Sequence, residues 1–314
     1  MRYRILGKTG FKISEISLGT VELAQDYGLS KAPSRKDAVN LIKYALDNGI
    51  NFIDTARAYD PAEDIIGEAI RDRKANRPIV ATKLEYFFND ELGEKELFKF
   101  YKKSIETSLD RLGVDIIDIL KLHQTDKNTL KIPGLLEVLR KLKKDQRIKF
   151  LGVSISDVST ARELINSDIF DVIQVAFNVF DQRLEKEIIY ASLEKKIGVI
   201  VRSAFMRGII PCPFEKVPSL LVSLIPYKER LNSISNSINV EPYEAALCFP
   251  LTLNEVSTTI VGMENISLLR KNIEAVNKFD IVLNNIYEFK NMAIDNEFLI
   301  TPALWDAAST KAKG

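Results

Sequence analysis

Charge of one sign is what this 314-residue chain most conspicuously lacks. Its 44 Lys and Arg face 43 Asp and Glu, a formal net charge of +1. Proteins that hold a nucleic-acid backbone carry a basic excess, so that class loses its main signature. Cysteine is scarce as well: Cys212 and Cys248 have no metal-ligand spacing around them and read as free, reduced thiols, with no metal implied. No apolar run approaches the ~20 residues needed to span a bilayer. The opening Met1-Arg2-Tyr3-Arg4-Ile5-Leu6-Gly7-Lys8-Thr9-Gly10 scatters charge where a signal peptide would carry an apolar segment. Together these absences predict a cytoplasmic protein with neither membrane nor nucleic acid as partner. Finally, the 14 glycines include no Gly-x-Gly-x-x-Gly run, which removes the open dinucleotide-binding sheet from consideration.

What is present is a repeated unit: an amphipathic helix, a short turn, then a compact apolar strand. Residues 38–48 carry apolar side chains at helical spacing, Gly49 supplies a stop, and 50–54 reads as a buried strand. The unit recurs as 97–112, Gly113 and 116–120, and again as 184–196, Gly198 and 199–201. Weaker strands fall at 79–81, 150–153, 172–175 and 259–261, separated by helices near 63–70, 135–144, 158–165 and 267–278. With 16–18 as the first strand there are eight, continuously apolar and therefore covered on both faces. No linker divides the chain, so residues 1–314 are predicted to form one domain. The expected fold is an α/β (β/α)8 TIM barrel with a C-terminal helix and tail. Residues 3–13 read as a hairpin turning at Lys8-Thr9-Gly10 and plugging the barrel floor.

Chemistry in such a barrel gathers where the strands end. The second strand ends on Asp54, with Tyr59 in the loop behind it; the third ends on Lys83; the fourth runs out through Leu122-His123. Singly, each has an ordinary structural use. Asp54 could cap a helical turn, Tyr59 could be a surface aromatic, Lys83 could extend to solvent, and His123, the single histidine, could be a core residue with its partners satisfied. Together, an acid, an amine and an imidazole on consecutive strand ends are hard to assign to packing. An Asp54–Lys83 pair would offset the cost of burying either charge.

These residues and their spacing resemble the aldo-keto reductase superfamily along nearly the whole chain. The likeness rests on Gly49-Ile50-Asn51-Phe52-Ile53-Asp54-Thr55-Ala56 with Tyr59, on Ala81-Thr82-Lys83 and on Leu122-His123. Leu109-Asp110-Arg111-Leu112-Gly113-Val114-Asp115 and Gly152-Val153-Ser154 add to it. The resemblance implies an NAD(P)H-dependent oxidoreductase that reduces a small-molecule aldehyde or ketone, sugar-derived ones included, to an alcohol. Tyr59 would be the general acid, Lys83 the cation that tunes its phenol, Asp54 the anchor of Lys83, and His123 the group that orients the carbonyl oxygen.

For the cofactor the resemblance implies NADP(H), with NAD(H) left open. Thr20 and Asp54 belong to the expected contacts, and Ser154 and Gln174 would meet the nicotinamide amide, although Ile155 follows where relatives often have Asn. Arg202 replaces a frequent aromatic and would stack its guanidinium on the nicotinamide. Ser203, Phe205, Arg207 and Gly208 match the segment that clasps the diphosphate. Gly262 and Asn272 match the adenosine end, but Gly262 and Leu268 stand where some relatives hold a 2′-phosphate with Lys or Arg. Trp305, the lone tryptophan, would either close over the site or pack on an outer helix. Two alternatives remain open at this stage: a lyase using Lys83 as a Schiff-base amine, and a regulatory protein that binds cofactor with little turnover.

Overall fold

The computed structural model describes residues 1–84 and 93–305. An antiparallel pair, β1 (Tyr3–Ile5) and β2 (Lys12–Ser14), precedes eight parallel strands: β3 (Ile16–Gly19), β4 (Phe52–Asp54), β5 (Ile79–Lys83), β6 (Ile117–Thr125), β7 (Ile148–Ile155), β8 (Val172–Ala176), β9 (Gly198–Arg202) and β10 (Val256–Gly262). Each pairs with the next, and β10 pairs back onto β3, so the sheet closes into a barrel. Closure leaves this sheet no edge. All eight strands and the floor hairpin fall where the sequence pattern places them.

Alternation along each strand divides two layers. Ile53, Leu120, Leu122, Val153, Ile173, Val199 and Val201 point outward and pack with the helices in the main core. Phe52, Ala81, Ile119, Val172 and Ile200 point inward and form a second cluster with Leu6 and Ile13 from the hairpin. The hairpin therefore seals the barrel floor. It can approach so closely because Gly7, at φ +47°, lies against the backbone of Gly198, where a side chain on either residue would collide.

The same period of two fixes the site. Two residues beyond the apolar floor, on the same inward parity, come Asp54, Lys83, Lys121, Gln174 and Arg202, with His123 one step higher. The fourth barrel strand runs longer than its apolar stretch suggests, to Thr125, so His123 sits within β6 rather than after it.

Two helices between β9 and β10, Ile225–Ser237 and Pro242–Cys248, escape the sequence pattern. The first buries only Lys228, Leu231 and Ser235, so its one large apolar anchor makes no stripe. Beyond β10 the helix Ile266–Ala275 agrees with expectation, and short helices Phe279–Asn284, Ile286–Lys290 and Glu297–Ile300 complete the tail.

Candidate active site

At the C-terminal rim of the barrel lies a cavity of about 1360 Å3. Asp54, Tyr59, Lys83 and His123 all line it, and so do Thr20, Ser154, Gln174, Arg202, Ser203, Phe205, Arg207, Gly208, Gly262 and Asn272. Every residue named from sequence as a catalytic or cofactor-binding candidate thus lines one space. The tail contributes Ile300 to Ala303 to the wall, whereas Trp305 is buried and donates from its indole to the carbonyl of Phe298 at 2.7 Å. Trp305 fixes the tail; its neighbours do the lining.

Asp54 sits at the centre. Its Oδ1 accepts from the Lys83 ammonium at 2.6 Å, and its Oδ2 accepts from Lys121 and from the Gln174 amide at 3.0 Å. Burial pushes the carboxyl up, but Lys121 and then Lys83 outweigh it and hold Asp54 below its ordinary range. Thr20 donates to the Asp54 carbonyl at 3.1 Å and secures the end of β4. Lys83 also donates to the Thr55 carbonyl at 2.8 Å. Although burial disfavours its charge, Asp54 raises its pKa, so the ammonium is retained.

Above this pair stands Tyr59, whose ring centroid is 5.0 Å from the Lys83 nitrogen and whose hydroxyl is 3.4 Å from Nε2 of His123. Burial raises the phenol above its ordinary pKa, against the pull of Lys83. The sequence reading has the lysine making the phenol more acidic; in the structure desolvation exceeds that effect, and Tyr59 is firmly protonated. His123 moves the other way. Burial, followed by the repulsion of Lys83 and Lys121, lowers it to about 3, so its ring is neutral. The arrangement offers a protonated phenol and a neutral imidazole to one oxygen in the cavity, with a cation behind the phenol.

On the far side of the rim, β9 turns into a loop in which Ser203, Met206 and Arg207 have φ of 64°, 47° and 54°. Three non-glycine residues in the left-handed region mark a loop held in shape by its surroundings. Lys228, which sequence reading missed with its helix, donates to the carbonyls of Ile209, Ile210 and Cys212 at 2.7, 2.7 and 2.9 Å and fastens that loop from below. Arg202 donates to the Ile155 carbonyl at 3.1 Å and the Ser203 hydroxyl at 3.3 Å. Its guanidinium is therefore tied to the backbone at the end of β7.

At the opposite end, Asn272 is fully buried, yet neither its amide nitrogen nor its oxygen has a hydrogen-bond partner among the described residues. Leaving both unmatched is costly, and a nucleotide base with adjacent donor and acceptor would satisfy them. The site thus fits a dinucleotide. Gly262 has a local reason to be glycine: a side chain there would overlap the carboxyl of Glu22. Burial, reinforced by Glu264, raises Glu22 to about 7. Among the described residues no group of three His, Cys, Asp or Glu is placed to hold a metal ion.

The sequence profile of the Aldo/keto reductase family matches residues 15–291. The chain belongs to that family. Among its relatives, the uncharacterised oxidoreductase YqkF of Bacillus subtilis is 28% identical over 88% of this chain and 92% of its own. The pyridoxal 4-dehydrogenase of Microbacterium luteolum is 24% identical over 86% and 91%. The holo form of an aldo-keto reductase from Bacillus halodurans superimposes with a TM-score of 0.73 at 21% identity, covering 95% of this chain and 99% of that one. As an aldo/keto reductase the protein is an oxidoreductase of a family that generally uses nicotinamide cofactors. No described helix is long and apolar enough to cross a membrane.

Proposed function

We propose that the protein reduces an aldehyde or ketone to an alcohol with a nicotinamide dinucleotide, Tyr59 donating the proton. The observation that carries this reading is the 3.4 Å approach of the Tyr59 hydroxyl to His123 Nε2 with the Lys83 ammonium behind the ring. When bound, the cofactor supplies hydride to the carbonyl carbon. The negative charge that develops on the oxygen is met by the neutral His123 ring and by the proton of Tyr59. Lys83 stabilises the tyrosinate left behind, and Asp54 keeps Lys83 in place. In the reverse direction the same phenolate accepts the alcohol proton.

Ser154, Gln174 and Arg202 would hold the nicotinamide end, Ser203, Phe205, Arg207 and Gly208 the diphosphate, and Asn272 the adenine. NADP(H) is the cofactor proposed. Lys271, beside Asn272, lines the cavity and supplies a cation there in place of those missing at 262 and 268. Gln124, Asp126, Asn128 and Thr129 line the cavity beyond His123. Their polarity favours a hydroxylated, sugar-like carbonyl compound over an apolar one.

A Schiff-base role for Lys83 is disfavoured because its nitrogen is protonated and committed to Asp54 and Thr55. The test is a panel of sugar-derived and simple aldehydes and ketones, following NADPH and NADH oxidation in parallel. Reduction of at least one class supports the proposal. Tight cofactor binding with no turnover across the panel would favour a regulatory protein instead.

A further inference from the structure

The centre of the barrel holds a second buried lysine. Lys121 lies on β6 between Lys83 of β5 and Gly152 of β7, and its side chain points inward with His123. It is fully buried and does not line the cavity. Its room comes from Gly152, where a Cβ would stand 2.9 Å from Lys121 Cγ and 3.0 Å from the Val172 carbonyl. Among the described residues its hydrogen-bond acceptor is Asp54 Oδ2, opposite the oxygen that Lys83 uses. One carboxylate thus faces two ammonium groups.

If Lys121 served packing alone, an apolar side chain would fill the space without the cost of an incompletely compensated charge. We propose that Lys121 is a second positioning lysine of the reductase: acting through Asp54, whose carboxylate charge it partly neutralises, it favours proton donation from Tyr59 and stabilises the developing oxyanion. This inference rests on the carbonyl-reductase reading.

The groups that face Lys121 are Asp54 on β4, Lys83 on β5, His123 on its own strand, Gln174 on β8 and Arg202 on β9, while β7 presents Gly152. Asp54 is anionic, Lys83 and Arg202 are cationic, His123 is neutral above about 3, and Tyr59 nearby is protonated. Burial, joined by the repulsion of Lys83, lowers Lys121 to about 7 against the pull of Asp54. With Lys121 protonated, the cluster of Asp54, Lys83 and Lys121 is net positive. Without its proton, Asp54 and Lys83 form a neutral pair and the field at the carbonyl oxygen weakens.

The experiment is single-turnover aldehyde reduction at saturating NADPH across the neutral pH range, for wild type, K121M and K121R. The wild-type rate should fall, on the order of tenfold, as pH rises through the Lys121 transition. K121M should run flat at the low level, and K121R, whose charge is permanent, flat at the high level. NADPH affinity should be alike in all three. Because Glu22 also titrates near 7, E22Q is measured beside them and should keep the step whatever its absolute rate. A wild type without the step, or K121M retaining it, overturns the proposal. If K121R does not fold, the wild-type step and its loss in K121M decide.

A second readout needs no turnover. Between about 7 and 10.5 the unfolded chain keeps a lysine proton that the folded protein has lost. Wild type should therefore gain stability over K121M as pH rises through that window in urea unfolding. No such gain overturns the inference about Lys121. The gain with no carbonyl reduction instead overturns the functional reading on which it rests.

Discussion

The Tyr59 hydroxyl lies 3.4 Å from His123 Nε2, and the two rings meet nearly edge to face, with centroids 5.7 Å apart at 80°. Two groups of different chemistry therefore point at one position, one with a proton to give and one without a charge to repel. Replacing Tyr59 by Phe keeps the ring and its packing but removes that proton. Single-turnover reduction should fall by roughly 10²–10⁴-fold, the range of a positioned general acid, with cofactor affinity near wild type. A folded, cofactor-bound Y59F that reduces aldehydes at the wild-type rate would falsify the assignment of Tyr59 as acid.

The catalytic candidates were legible from sequence because barrel geometry converts strand ends into a shared rim. Asp54, Lys83 and His123 are neighbours on adjacent strands, although up to 69 residues separate them in the chain. Lys121 was within reach of the same reasoning: strand alternation puts residues two apart on one face, and Lys121 precedes His123 by two. It was lost inside an apolar strand whose other members set the pattern. Lys228 was less accessible. Its helix has no apolar stripe, and its partners are backbone carbonyls, which side-chain identity does not announce.

His123 makes a prediction in acid. Its folded-state pKa is lowered from 6.5 to about 3, chiefly by burial. Between those values the unfolded chain binds a proton that the folded protein does not, so stability falls as pH falls through this window. Relative to H123N, wild type should lose up to ~1.4 kcal/mol per pH unit there. Urea titrations of both proteins at several acidic pH values check this. Parallel stability curves for the two would mean that His123 titrates normally.

Arg202 offers a test at the cofactor end. Its guanidinium is anchored to Ile155 and Ser203 and lines the cavity. Arg202→Ala should weaken cofactor binding by about tenfold and slow reduction, and Arg202→Lys should recover only part of the loss, because an ammonium has no planar face to stack. Fluorescence titration with NADPH gives the affinities. Wild-type values in both variants would leave Arg202 as a rim residue tied to its neighbours.

Lys228 tests whether the loop after β9 governs cofactor release. Its buried ammonium serves three carbonyls at 2.7–2.9 Å, and no carboxylate among the described residues pairs with it. Lys228→Met keeps much of the stem but leaves those carbonyls without a shared donor, a loss of about 3 kcal/mol in stability. The strained turn at Ser203–Gly208, which lines the cavity, then loses its support from below. NADPH should dissociate about tenfold faster from K228M, measured by stopped-flow displacement. Single-turnover chemistry at saturating cofactor should stay close to wild type, because Lys83 and His123 lie on β5 and β6 and Tyr59 in the loop after β4, none of them on this loop. A K228M protein that releases NADPH at the wild-type rate would show that the loop keeps its shape without the lysine.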